Sequence, residues 1–377
     1  MKVLFLASWY PMRYDAMAGL FVRKHAQAVK QQGVDVHVLS VYGDSRVEQE
    51  ELSVEEVEGV KEYILYIPDK VNSLSGIRAL FKLWRIWHKE NGVPDIVHLN
   101  VITKEGLLAL WLKRKYGVPY VVTEHWSGYL PENGNYRGVV RKKMSEAIAR
   151  NAAVIMPVSQ KLKEAMQQCG LVHSKYQVVP NVVDDFFYEA SPQLEPRTKR
   201  RILHVSCFEN RSKNVYGIIE AAAQLYSQRK DFELIMVGIG GDFEQTKQLA
   251  AKYNLLDAGV VKFYGEMTPY QVKQEMDLSD LFLLFSNFEN APVVISEALA
   301  CGLPIISSAV GFVPELVDDK VGVVVPVRDI DALVLAINNI IDGKNRFDCN
   351  YIKSKSEQFR FASVGGMFVE QYRSALK

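Results

Sequence analysis

Along the chain, short unbroken apolar runs alternate with longer amphipathic stretches. Residues 2–8, 34–41, 63–67, 95–100 (DIVHLN), 120–123 (YVVT) and 151–158 (NAAVIMPV) are apolar runs bounded by turn-forming residues. Such runs predict parallel strands buried on both faces. Between them, 20–32 reads as a helix stopped by Gly33, and 159–170 as a helix capped by Ser159. In 75–91, Ile77, Leu80, Phe81, Trp84 and Trp87 recur at helical spacing, while Arg78, Lys82, Arg85 and Lys89 fall on another face. Strand, helix and strand at these distances make βαβ units. The acidic stretch 44–60 predicts no element.

The segment 188–201, YEASPQLEPRTKRR, is rich in proline and charge and reads as a domain linker. After it the pattern restarts, with strands at 202–206, 232–241, 261–265, 281–285 and 322–327. Helices are predicted from 215, from 292 and over 332–341, with a terminal helix at 359–377. The fold class is therefore α/β, with two doubly wound domains at 1–187 and 188–358.

The most informative stretch is 281–304, LFLLFSNFENAPVVISEALACGLP. A buried strand turns at Ser286–Glu289 and enters a helix near Pro292, with Asn290 as a candidate cap. Gly302 and Pro304 end that helix. A strand, a turn and a helix N-terminus make an anion site, because unpaired N–H groups and the helix dipole point at the turn. Glu289 lies at its mouth and Glu297 lies eight residues on. An anion with hydroxyls at two distances, a sugar and a ribose, suits this arrangement. Arg211 and Lys213 lie in 206–214 (SCFENRSKN), just before another helix, where two cations suit a diphosphate. Ligands of open α/β sheets bind beyond the carboxyl ends of strands. His125 follows its strand directly. His98 lies within its strand, so a core role and a site role both stand.

Glu289-x7-Glu297 with Ala298, Gly302 and Pro304, followed by Gly311, Pro314, Glu315 and Gly322, resembles the signature of the retaining glycosyltransferases of family 4. The resemblance implies the GT-B fold, two Rossmann-like domains facing a central cleft, with the terminal helix returning to the first domain. It implies a nucleotide-diphosphate sugar donor held by Arg211, Lys213, Gly265, Glu297 and the N–H groups of Asn290, Ala291 and Val293. His125 and Glu289 would act on the transferred sugar, and Gly19, His98 and Asn181 would line the acceptor side. The family's glycine pair is Ala18-Gly19 here, so Gly19 marks either a ligand approach or a plain helix entry. Its Pro-Asn-Gly-x-Asp motif keeps Pro180, Asn181 and Asp184 but has Val182 for the glycine. The family's strand-end arginine is replaced by Cys207, so either Arg211 takes its role or Lys213 serves alone.

Composition narrows the partners. Of 377 residues, 48% are hydrophobic and 24% charged, with net charge +1, which fits a globular enzyme and gives no bulk attraction to nucleic acid. The four cysteines form no C-x-x-C pair, which suggests free thiols in a reducing compartment. The first residues are too short an apolar run for a signal peptide, and no window reaches the roughly 18 apolar residues of a membrane span. A cytoplasmic protein is expected. The basic face of 75–91 and the group Arg137, Arg141, Lys142 and Lys143 leave two readings open, peripheral contact with anionic lipid and a solvated surface. Asp329-x-Asp331 resembles a metal-binding D-x-D, but it precedes a helix and reads as an acidic cap. No metal or other cofactor is expected. The resemblance implies a sugar or lipid-linked hydroxyl acceptor, as in cell-surface polysaccharide or glycolipid synthesis. Alternatives on the same fold are a sugar-nucleotide epimerase, a phosphorylase, or a non-catalytic nucleotide-sugar binder. The run G-x-G-G at 238–241 lacks the third glycine of a dinucleotide fingerprint, which disfavours a dehydrogenase.

Overall fold

The computed structural model describes residues 1–68, 73–190 and 197–377. They form two compact units, Met1–Val182 with Phe361–Lys377, and Val183–Arg360.

Unit 1 holds strands β1 (Lys2–Ala7), β2 (Asp35–Gly43), β3 (Glu51–Val57), β4 (Val60–Ile67), β5 (Ile96–Asn100), β6 (Tyr120–Glu124) and β7 (Ile155–Pro157). Their order in the sheet is β3-β4-β2-β1-β5-β6-β7. Helices α1 (Leu20–Gln31), α2 (Ser73–Asn91), α3 (Gly106–Tyr116), α4 (Val139–Asn151) and α5 (Gln160–Gln168) connect them. Every pairing is parallel except the β3–β4 hairpin. From β1 the chain winds outward to β2, and from β5 outward to β6 on the other side. The switch point of the sheet therefore lies between β1 and β5, where a doubly wound sheet opens a crevice at its carboxyl edge.

The hairpin corrects the reading of 44–60 as irregular. Glu58 and Gly59 take φ values of 48° and 78°, the paired left-handed conformation of a tight hairpin turn. The exposed Glu51, Glu55 and Glu56 are the charges an edge strand uses to repel further pairing, and they hid the strand from a hydrophobicity pattern. In α2 the apolar stripe is consumed by packing: Leu80, Trp84 and Trp87 are buried, and the Trp87 indole donates to His37 Nδ1 at 2.9 Å. Arg78, Lys82, Arg85 and Lys89 face solvent. The C-terminal helix Phe361–Ala375 lies on α1, where Gly365 meets the Ala28 carbonyl too closely for any side chain.

Unit 2 holds β8 (Arg200–Val205), β9 (Phe232–Val237), β10 (Val261–Gly265), β11 (Leu281–Leu284), β12 (Ile305–Ser308) and β13 (Gly322–Val325), all parallel, in the order β10-β9-β8-β11-β12-β13. Its helices are α6 (Asn210–Lys213), α7 (Val215–Gln228), α8 (Phe243–Lys252), α9 (Pro269–Asp277), α10 (Val293–Cys301), α11 (Val313–Leu316), α12 (Ile330–Ile341) and α13 (Cys349–Ser356). Here the switch point lies between β8 and β11.

The units divide at 182/183 and 360/361, not at the expected 187/188 and 358/359. Val183 N–H donates to Phe359 O at 2.9 Å, and Phe187 is fully buried in the unit 2 core, so 183–187 belongs there. Of the expected linker, 200–201 is already β8, and 191–196 lies outside the described residues. Asp329 Oδ1 accepts from Ala332 N–H at 2.9 Å, so the D-x-D acid is a helix cap, and Asp331 Oδ1 accepts from Gln224. Among the described residues no helix is long and apolar enough to cross a membrane.

Candidate active site

In unit 2 the loops after β8 and β11 meet at the switch point. The chain leaves β8 through Ser206–Glu209 and makes the single turn α6. Asn214, at φ 51°, then lets α7 start in a new direction. The glycines of the 238–241 turn are used by the chain itself: side chains at Gly238 and Gly240 would collide with the backbone at Ser206 and Phe208. After β11, Asn287 N–H donates to Ser212 O at 2.7 Å, and the Asn287 amide donates to Arg211 O at 3.0 Å. Arg328, itself at φ 64°, donates to Asn287 Oδ1 at 2.9 Å. These bonds hold two loops far apart in sequence at a fixed distance.

The result is an ion pair that sequence reading did not foresee. Lys213 Nζ lies 2.5 Å from Glu289 Oε1, which also accepts from Ser286 Oγ at 2.8 Å. Burial works against the Lys213 charge, but the Glu289 carboxylate outweighs it and holds the ammonium above its usual range. Glu289 and Glu297 are both buried, at 8% and 7% exposure, so Glu297 is not a solvated helix residue. Helix α10 begins one residue later than expected. Pro292 is its N-cap and no side chain caps it, so Asn290 is not the cap. Instead the Asn290 carbonyl accepts from Phe312 N–H at 3.2 Å, and Gly311, at φ 54°, packs against that carbonyl with no room for a Cβ. The Gly-x-x-Pro-Glu segment thus braces the loop that leads into α10. In the first turn of α10 the Ile295 N–H donates to Pro292 O at 3.0 Å, while the Val293 N–H has no helix carbonyl before it to bond, and Ala291 lies just before. Gly302 ends α10 at φ 76°, as expected. The Arg211 side chain is exposed, and its backbone carbonyl is tied into the loop. Gly265 ends β10 at φ 70° with open space where a side chain would be, and its carbonyl accepts from Gly238 N–H.

In unit 1, His125 follows β6. Its ring lies 4.4 Å from Phe21 and 5.2 Å from His25, and the Asn181 side chain lies beside it. Burial first, then His25 and His98, depress its pKa well below the usual value, so the imidazole is neutral. Beneath it, buried Glu124 accepts from the N–H groups of Ile102, His125 and Trp126, each at 2.9 Å. Burial raises this carboxyl to about 7, although those N–H groups pull it down.

Two expected cleft residues are elsewhere. His98 is fully buried, bonded at Nδ1 to the Tyr372 hydroxyl and at Nε2 to Thr123 Oγ1, both at 2.6 Å. It anchors the C-terminal helix to the sheet and is a core residue. Gly19 is a helix-entry glycine at φ 61°. The space over it is filled by the Trp9–Tyr10 peptide, which leaves no approach for a ligand.

The switch point of unit 1 opens into a cavity of about 860 Å³ bounded by the ends of β1, β2 and β5, by Trp126 and by the first turn of α4. Ser8, Thr103 and Glu105 form one hydrogen-bonded cluster in it, with Ser8 Oγ 2.8 Å from Glu105 Oε2. Val101, in its wall, sits at φ 69°. A β-branched residue rarely adopts that conformation, and such strain gathers at ligand sites.

The buried imidazoles set a pH dependence. His25 is lowered from 6.5 to about 4, and His98 and His125 well below 6.5. Their contribution to stability is fully present above pH 6.5 and is lost as pH falls towards 4. Glu124 acts oppositely. Raised from 4.5 to about 7, it makes the fold more favourable as pH drops through that window. Between pH 7 and pH 5 three depressed imidazoles act together against the single raised carboxyl. Unit 1 should therefore melt at a lower temperature at pH 5 than at pH 7. Thermal scans at the two values check this, and an unchanged or higher midpoint at pH 5 would refute it.

Two family models match the chain: Glycosyl transferases group 1 over 188–358 and Glycosyltransferase Family 4 over 18–185. A curated relative, the putative colanic acid biosynthesis glycosyltransferase WcaL of Escherichia coli, is 31% identical over 195 residues, half of this chain and 47% of that protein. The match thus spans about half of that relative's length. Among solved structures, the sucrose-phosphate synthase of Thermosynechococcus elongatus superposes with TM-score 0.79 at 19% identity, over 99% of this chain and 98% of that one. HepE of Anabaena, solved in complex with UDP, superposes with TM-score 0.75 at 20% identity, over 99% of this chain and all of that one. These likenesses agree with two parallel-sheet Rossmann-like units of GT-B type.

Proposed function

Since the chain belongs to the family 4 glycosyltransferases of GT-B fold, we propose that it moves a sugar from a nucleotide-diphosphate donor to a hydroxyl acceptor with retention of configuration. The observation that carries this reading is the Lys213–Glu289 pair at the entrance to α10, with Glu297 buried in the same helix. Breaking the sugar–phosphate bond develops negative charge on the leaving diphosphate. Lys213 and the amides of Asn290, Ala291 and Val293 offset that charge in a partly dry site, where preorganised donors act most strongly. Arg211, exposed beside them, reaches the diphosphate from solvent. Glu297 accepts hydrogen bonds from the ribose hydroxyls, and Gly265 leaves room for the base.

When the donor enters, Lys213 turns from Glu289 to phosphate. Glu289 is then available to the sugar hydroxyls and to the positive charge that develops on the ring. The acceptor oxygen bonds to the anomeric carbon on the face the diphosphate leaves, and its proton passes to the departing phosphate oxygen. Unit 1 binds the acceptor. There the neutral His125, with Asn181 beside it, hydrogen-bonds the attacking hydroxyl.

A panel of UDP- and GDP-sugars tests the reading. HepE was solved with UDP, so UDP-sugars come first. A true donor at 100 times its dissociation constant should stabilise the protein by about 2.7 kcal/mol and should release nucleoside diphosphate only when acceptor is present. Release without acceptor, or binding with no turnover on any acceptor, would count against a transferase. Because the proposed site neutralises charge with an ammonium and amides, transfer should persist in excess EDTA. Loss of activity restored by a divalent ion would overturn the metal-independent mechanism.

A further inference from the structure

The cavity of unit 1 has a chemistry of its own. Its inner end lies at the switch point and is polar: Ser8 follows β1, Thr103 and Glu105 follow β5, and the Glu105 carboxylate, itself 6% exposed, accepts from both hydroxyls. A buried carboxylate with two hydroxyl neighbours is suited to the hydroxyls of a sugar. Its walls are apolar or aromatic, formed by Trp9, Ile77, Leu107, Trp126 and Met144. Two cations also line it, Lys104 beside the hydroxyl cluster and the exposed Arg141, and the Arg141 guanidinium lies 4.9 Å from the centre of the Trp126 ring. Stacking on the indole holds that guanidinium in place, ready to fork onto a phosphate. Beyond Arg141, the first turn of α4 exposes Val139 at 70% and Val140 at 83%, flanked by Arg137, Lys142 and Lys143. A soluble protein rarely places two adjacent valines so fully in water among cations unless something apolar and anionic covers them.

From the sheet outward the sequence is hydroxyl readers, aromatic walls, a phosphate-binding guanidinium and an exposed apolar step. We propose that this cavity takes an amphiphilic acceptor: a sugar joined through phosphate or diphosphate to an aliphatic chain. The sugar lies on Glu105, Ser8 and Thr103, the phosphate on Arg141 and Lys104, and the start of the chain along Val140 and Val139. The assignment rests on the glycosyltransferase reading and narrows its acceptor. The shared chemistry has two sources, a prenyl diphosphate carrier and a glycerophospholipid headgroup.

Calorimetric titration of the full chain separates them, with farnesyl diphosphate as one probe and dihexanoyl phosphatidylinositol, below its micelle concentration, as the other. Inorganic pyrophosphate and farnesol serve as controls. At least one amphiphile should bind about tenfold more tightly than either control. Arg141→Glu and Val140→Asp, both at exposed positions, should each weaken it by about tenfold. Binding no tighter than pyrophosphate alone or farnesol alone, or binding that both variants leave unchanged, overturns the assignment. A UDP thermal shift on the same preparations reports separately on the donor site. Loss of amphiphile binding with the UDP shift intact condemns this acceptor and spares the transferase reading. Absence of a shift with UDP and likewise with GDP condemns the donor site instead.

Discussion

Replacing Lys213 by alanine lowers kcat/KM for the donor by about 10²–10³-fold, the scale of removing one preorganised donor from a developing oxyanion. Most of the loss falls on kcat, because the charge that Lys213 meets grows as the bond breaks. The variant also leaves Glu289 buried without its ammonium, bonded only to Ser286 among the contacts described above. Its carboxylate would then repel the incoming diphosphate. Removing one member of a buried pair costs up to about 3–5 kcal/mol, so the melting temperature should fall as well. The double variant Lys213→Ala/Glu289→Ala separates the two effects. Stability should partly recover, because no unpaired charge remains, while activity should not. Steady-state kinetics beside thermal melts check this, and normal turnover in Lys213→Ala would remove the diphosphate role.

Glu297→Ala raises the donor KM by about 10–100-fold, the consequence of losing charge-assisted hydrogen bonds worth about 1.5–3 kcal/mol. The effect on kcat should be smaller, since ribose hydroxyls are held equally in the ground and transition states. Glu297 is 7% exposed, so a purely structural role would appear differently. It would lower the melting temperature of Glu297→Gln and leave the donor KM of the folded fraction unchanged. Kinetics on Glu297→Gln, which keeps the shape and loses the charge, distinguish the two outcomes.

The parts of the site visible in the sequence are those written in local signals. The apolar run of β11, the prolines at 292 and 304 and Gly302 fix a strand, a turn and a helix within a single stretch of chain. The positions of Glu289 and Glu297 follow from that alone. The acidic cap at Asp329 was equally local. What stayed hidden depends on contacts between distant segments. Lys213 and Glu289 are 76 residues apart, and no periodicity announces that they pair. Their placement needs β8 and β11 to be neighbours and Asn287 to bond to the backbone of α6. Likewise a histidine in a strand end looks the same whether it faces ligand or core, and only the return of the C-terminal helix, with Tyr372, makes His98 a core residue. Gly19 shows the same ambiguity, since its missing side chain made room for the protein's own Trp9–Tyr10 peptide. The edge strand β3 was masked because its solvent face is glutamate. Glu124 and the cluster of Ser8, Thr103 and Glu105 carry no spacing motif at all, and three strand ends assemble them.

The most direct test of the donor site is a crystal structure of the protein with a nucleoside diphosphate bound. The account predicts phosphate oxygens within hydrogen-bond distance of Lys213 Nζ and of the amides of Asn290, Ala291 and Val293, the Lys213–Glu289 pair opened, and the ribose on Glu297. A nucleotide bound elsewhere, with that ion pair still closed, would contradict it.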